Sequence, residues 1–166
     1  MWGVCVSLFA LVETVDDIRE YMGISYIKAY LVSKGVSCDL QVICRSQMDE
    51  VLNQYEEFPD IIGISVYCNT VELTKEFCEK VKKISPKCHI VLGGAHVMGY
   101  EEDIITWVCE NESYTCIGDL CMGRGLVACA AYRSGKKFVG TELNHKRLSV
   151  ALEHLKKLGG EYYVKA

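Results

Sequence analysis

The pattern of apolar and polar residues in the middle of the chain predicts a strand, a loop, a helix, a second strand and a glycine-rich loop. The apolar run 61–66 has the length of a buried strand. An amphipathic segment, residues 71–84, separates it from a second apolar run at 89–92. Two strands joined by one helix form a parallel βαβ unit. The loops after both strands then meet at the carboxyl edge of the sheet, where open α/β sheets bind ligands.

The rest of the chain repeats this alternation of strands and helices. Strand patterns occur at residues 3–11, 37–43, 60–66, 89–92 and 114–117, with an edge strand at 136–139. Helical spacing of apolar residues occurs at 18–34, 47–56, 71–84, 101–110, 124–134 and 146–158. We predict an α/β fold with a doubly wound, five-stranded parallel sheet, flavodoxin-like or Rossmann-like, in the order 2-1-3-4-5. Residues 1–143 would form this domain, and residues 144–166 an amphipathic helix and tail.

Composition narrows the function classes. Half of the 166 residues are apolar, the formal net charge is −4, and Lys and Arg are scattered along the chain. This distribution lacks the electrostatic footprint of a nucleic-acid-binding protein. The apolar run 4–12 lacks the basic start and cleavage site of a signal peptide, and it is too short to span a membrane. We therefore expect a cytoplasmic protein that binds neither nucleic acid nor membrane.

Most of the ten cysteines lie on predicted strands and helices, and no CxxC pair occurs. Free thiols of this kind behave as small apolar residues. In a chain without a secretion signal they are expected to be reduced and mostly structural. The spacing supports neither a zinc ribbon nor a thioredoxin-type redox pair.

The loops after the two central strands carry residues suited to ligand binding. Ser65 and Thr70 follow the first of these strands and offer hydroxyl donors and acceptors. Thr70 is equally suited to be the N-cap of the next helix, and the two roles are compatible. Gly93 and Gly94 follow the second strand and allow a ligand to lie on the backbone, because neither carries a Cβ atom. The alternative for the two glycines is an ordinary turn between a strand and a helix.

Taken together, these motifs resemble the cobalamin-binding domain family, in particular the N-terminal cobalamin-binding-like domain of radical S-adenosylmethionine (SAM) enzymes. The matching residues are Asp-Ile-Ile-Gly-Ile-Ser at 60–65, Thr70, and Ile-Val-Leu-Gly-Gly-Ala-His at 90–96. The helical segment 23–35 is also similar to the first helix of that family. The resemblance covers about residues 3–140.

The resemblance implies a binding site for cobalamin (vitamin B12). Ser65, Thr70, Gly93 and Gly94 would line a slot for the nucleotide tail, and the corrin ring would lie over the carboxyl edge near Glu13 and Cys68. The full set of candidate cofactor-binding residues is Glu13, Ser65, Tyr67, Cys68, Asn69, Thr70, Gly93, Gly94, Ala95, His96, Gly118 and Asp119.

The sequence departs from the family pattern in three places. It has no DxHxxG motif, which supplies a histidine ligand to cobalt in many relatives, and we expect His96 to be a loop histidine and not a metal ligand. The loop after the fifth strand, beginning Gly118-Asp119, lacks the family's second glycine and second acid. No CxxxCxxC motif is present to hold an iron–sulfur cluster, so this chain is not a self-sufficient radical SAM enzyme.

Three functions remain open at this point. The first is a standalone module that carries a corrinoid, without a protein histidine on cobalt, and serves a partner enzyme of the radical SAM or methyl-transfer type. The second is a related domain that has lost the cofactor and acts as a partner or scaffold subunit. The third is a small enzyme with Cys68 or Cys121 as a reactive thiol.

Overall fold

A computed structural model of the chain describes residues 4–14, 21–94, 97, 101–119 and 122–164. The chain divides into two compact units, residues 1–101 and residues 102–166. Within the described residues, no helix combines the length and the apolar composition that crossing a membrane requires.

Within the described ranges, the first unit has four strands and three helices whose bounds are known. Its elements are β1 (Cys5–Val12), α1 (Met22–Ser33), β2 (Ser37–Cys44), a 3₁₀ turn (Arg45–Gln47), α2 (Met48–Asn53), β3 (Ile61–Ser65), a second 3₁₀ turn (Cys68–Thr70), α3 (Val71–Ile84) and β4 (His89–Gly93). The predicted βαβ unit is confirmed, since β3 and β4 are parallel neighbours joined by α3.

The four strands form a parallel sheet in the order β2-β1-β3-β4. The prediction of an α/β fold with a parallel sheet is therefore confirmed, and the order of these strands is the predicted one. Ala10 on β1 lies beside Ser65 on β3, which lies beside Gly93 on β4. This register brings the ends of the three strands to one edge of the sheet.

Helices pack on both faces of this sheet. On one face, the ring of Phe9 from β1 lies 4.8 Å from the ring of Phe77 on α3, between centroids. On the other face, Ile24 of α1 packs with Val6 and Leu8 of β1. β1 and β3 are largely buried, as their apolar runs predict. β4 is less buried than these two strands, since Val91 is 49% exposed.

The second unit begins at α4. Its elements are α4 (Glu101–Glu110), β5 (Cys116–Asp119), α5 (Leu126–Arg133), β6 (Lys137–Gly140) and α6 (His145–Lys157). Asn144 caps α6, since its side-chain oxygen accepts hydrogen bonds from the amides of Lys146 and Arg147. A Cβ atom on Gly125 would lie 2.8 Å from the Cβ of Ala151, so α6 approaches the start of α5 closely.

The predicted five-stranded sheet is wrong, because β5 pairs with β6 and not with β4. The two strands are parallel and form a separate two-stranded sheet. The reason is local: β5, α5 and β6 are a parallel βαβ unit of their own, in which Ala131 of α5 packs on Ile117 of β5 and β6 supplies the backbone hydrogen-bond partners of β5.

Candidate functional site

The candidate site lies at the carboxyl edge of the four-stranded sheet. Glu13 follows β1 directly and is exposed. The loop after β3 contains a 3₁₀ turn in which Cys68 and Asn69 are exposed. Gly94 follows β4. The register of the strands therefore brings most of the predicted site residues of this unit to one edge.

Thr70 shapes the loop after β3 through its side chain. The Tyr67 amide donates to Thr70 Oγ1 at 3.1 Å, and the Thr70 hydroxyl donates to the Tyr67 carbonyl oxygen at 3.2 Å. Thr70 does occupy the position before α3, but its side chain makes no capping hydrogen bond to that helix. Its side chain is almost fully buried, at 1% exposure. The Thr70 hydroxyl is thus used to hold the turn closed.

Gly94 holds the loops after β3 and β4 against each other. Its φ is +102°, a conformation that residues with a side chain rarely adopt. A Cβ atom here would lie 2.7 Å from the carbonyl oxygen of Val66 and 2.9 Å from its amide nitrogen. The Val66 amide donates to the Gly93 carbonyl oxygen at 2.7 Å. The space that Gly94 leaves free is therefore filled by the protein's own backbone.

Gly93 and Ser65 have the properties expected of ligand-binding residues. A Cβ atom on Gly93 would meet nothing within 4 Å in the described part of the chain. Ser65 lies beside Gly93 in the sheet, and its hydroxyl makes no hydrogen bond to any described residue. Ser65 Oγ lies 3.1 Å from the position that a Cβ on Gly94 would take. An open stretch of backbone beside a free hydroxyl fits a ligand that carries hydrogen-bond acceptors.

An aromatic pair, Tyr21 and Tyr67, borders this edge, and only Tyr67 was predicted to lie there. The rings of Tyr21 and Tyr67 are 6.2 Å apart between centroids, with an interplanar angle of 69°. Tyr67 was expected at the site, but Tyr21 was treated only as part of the first helix. Tyr21 lies immediately before α1, the helix that follows β1 in the chain. This position is the signal that could have placed it near the end of β1.

The remaining predicted site residues are Gly118, Asp119, Ala95 and His96. Gly118 and Asp119 lie on β5 in the second unit, where the Asp119 carbonyl oxygen accepts a hydrogen bond from the Thr141 amide. Ala95 and His96 lie outside the described residues. Their assignments stay predictions.

The cysteines of the first unit differ in their surroundings. Burial raises the pKa of the Cys88 thiol to about 11. At the end of β2, a hydrogen bond between Cys44 Sγ and the Ser46 hydroxyl, 3.1 Å apart, lowers the pKa of the Cys44 thiol. Cys68 is exposed on its turn, and Cys121 lies outside the described residues. The reactive-thiol hypothesis gains no neighbouring base from these contacts and stays a prediction.

In residues 4–14, 21–94, 97, 101–119 and 122–164, no three His, Cys, Asp or Glu side chains are grouped so that they could hold a metal ion.

Comparison with known protein families agrees with the resemblance seen in the sequence. The B12 binding domain family model matches residues 10–132, which run from β1 to the end of α5 and include the predicted site residues. No curated protein and no solved structure gives a significant match. The family match suggests corrinoid binding, and it spans well over half of the 166 residues. The chain therefore belongs to the B12-binding domain family.

Proposed function

We propose that this protein is a cobalamin-binding module that carries a corrinoid and serves a partner enzyme of the radical SAM or methyl-transfer type. The observation that carries the proposal is the pairing of Ser65 with Gly93 at the carboxyl edge of the sheet. A free hydroxyl lies there beside backbone that no described side chain covers. The family match supports the same ligand class.

The residues of the site would hold the corrinoid in two ways. Ser65 would donate a hydrogen bond to an acceptor on the nucleotide tail, and Gly93 would let the tail lie directly on the strand. Thr70 and Gly94 would act indirectly, by fixing the two loops that flank the tail. The Thr70 side chain holds the loop after β3, and the absence of a side chain on Gly94 lets the loop after β4 pack against it. Glu13 and Cys68 are exposed at the same edge, where the corrin ring would lie.

When bound, the corrinoid would supply the cobalt centre that accepts and donates a methyl group, and the protein would supply binding and orientation. The described residues that follow β1, Glu13 and Thr14, include no histidine. We therefore propose that no protein histidine binds the lower face of the cobalt.

Gel filtration with hydroxocobalamin tests this proposal. The purified protein is mixed with an excess of hydroxocobalamin and separated from free ligand, and absorbance is recorded at 280 nm and in the visible corrin bands. We expect the corrin absorbance to co-elute with the protein. After reduction to Co(II), electron paramagnetic resonance should lack nitrogen superhyperfine splitting from a lower ligand. A colourless protein peak would contradict corrinoid binding, whereas nitrogen splitting that is also seen with cobinamide, which has no base of its own, would contradict only the absence of a protein histidine ligand.

A second candidate is a scaffold or partner subunit that has lost the cofactor. It is favoured by apolar side chains exposed on either side of α6, with Leu143 98% exposed and Tyr163 99% exposed. This function predicts a stable complex with a partner that hydroxocobalamin does not affect. Removing residues 146–166 should abolish that complex, and its survival would rule out docking through α6.

A further inference from the structure

Tyr21 lies on the face of the sheet that carries Ser65 and Gly93. It packs against the cluster of Val6, Leu8 and Ile24 on the face covered by α1. The position of a Cβ on Gly63 would be only 2.7 Å from Leu8 Cδ2, so Leu8 lies over Gly63. Because side chains alternate along a strand, Ser65 points to the same face as Gly63.

Tyr67 extends this face beyond the end of β3. Its backbone is extended, with φ −116° and ψ 159°, so its side chain continues the alternation from Ser65 two residues earlier. Its ring contacts Tyr21 edge to face. Both tyrosines are half-buried. The two rings therefore form an aromatic wall at the end of the sheet where Ser65 and Gly93 lie.

We propose that Tyr21, together with Tyr67, determines which corrinoids the site accepts by packing against the planar base of the nucleotide tail. This inference rests on the proposed function. A flat aromatic base packs favourably against tyrosine rings, and its ring nitrogen would accept a hydrogen bond from Ser65. A corrinoid without a base gains neither contact. The site thus selects corrinoids with a complete tail that ends in an aromatic heterocycle.

The test compares two probes that differ in the tail, hydroxocobalamin and aquocobinamide, which lacks the nucleotide. Dissociation constants for both are measured by equilibrium dialysis with the whole chain. The quantity that matters is the preference, defined as the Kd for cobinamide divided by the Kd for cobalamin. We expect Tyr21→Leu and Tyr67→Leu each to lower this preference by about tenfold, whereas Tyr21→Phe, which keeps the ring, retains most of it.

Tyr26→Leu is the matched control. Tyr26 lies on α1, five residues after Tyr21, and is 81% exposed, so its removal should leave the preference unchanged. A purely structural loss caused by Tyr21→Leu would weaken the binding of both probes equally. That result would overturn the inference, as would a wild-type protein that binds both probes with the same Kd. If the wild type binds neither probe, the proposed function itself fails.

Discussion

Gly93 and Gly94 are neighbours in sequence, but the structure predicts opposite consequences for replacing them with alanine. At Gly94 a Cβ atom would meet the Val66 backbone at 2.7 and 2.9 Å, and the φ of +102° is itself unfavourable for alanine. At Gly93 a Cβ would meet no described atom within 4 Å. The first substitution therefore strains the protein, whereas the second fills the space proposed for the ligand.

The size of the effect at Gly94 follows from two contributions. A left-handed backbone conformation costs a residue with a side chain about 1–2 kcal/mol. Forcing an extra methyl group against fixed backbone costs about 1–3 kcal/mol more. Gly94→Ala should thus lower the free energy of unfolding by about 2–5 kcal/mol. Gly93→Ala should change it by less than about 1 kcal/mol, because alanine is no worse than glycine in a strand.

Urea unfolding followed by far-ultraviolet circular dichroism measures both values, and equilibrium dialysis against hydroxocobalamin measures binding. Gly93→Ala should unfold close to the wild-type midpoint but bind the corrinoid more weakly. Gly94→Ala should unfold at a clearly lower urea concentration. Equal stabilities of the two variants would refute the reasoning about the loop contact. Wild-type binding by Gly93→Ala would remove Gly93 from the site.

Two further predictions concern single side chains. Thr70→Val removes the acceptor of the Tyr67 amide and should lower the free energy of unfolding, measured in urea, by about 1–3 kcal/mol. Thr70→Ser keeps the hydroxyl and should lower it less. Equal losses of stability in the two variants would show that the hydroxyl does not hold the turn. The pKa of Cys88 rises from 9.0 to about 11 on folding, so the unfolded chain loses this proton first as the pH rises. The difference in free energy of unfolding between wild type and Cys88→Ala should therefore be largest below pH 9 and should decrease by about 2 kcal/mol towards pH 11. A difference that does not change with pH would contradict the burial of this thiol.

The central part of the fold could be predicted because its signals are local and strong. Two apolar runs and the amphipathic segment between them define β3, α3 and β4 almost to the residue. Residues at the ends of parallel strands must meet at one edge, so Ser65 and Gly93 were placed together correctly. The start of α1 was less predictable. The apolar spacing placed the start of this helix at residue 18, whereas the described helix begins at Met22.

Features that depend on contacts over a few ångströms could not be predicted from residue type and spacing. The sequence offers two hydroxyls and two glycines after the strands, and nothing in it separates their roles. The structure shows that Thr70 bonds to its own loop and that Gly94 is filled by the Val66 backbone. The separate sheet of β5 and β6 was not predicted for a similar reason, because a short strand can satisfy its hydrogen bonds with either neighbour.

The central claim is that a corrinoid binds with its nucleotide tail at Ser65 and Gly93. Titration with hydroxocobalamin in equilibrium dialysis tests it most directly, using wild type, Ser65→Ala and Gly93→Val. We predict that the wild type retains one corrinoid per chain and that both variants bind more weakly while unfolding near the wild-type urea midpoint. No retention by the wild type, or retention that neither substitution weakens, would contradict the claim.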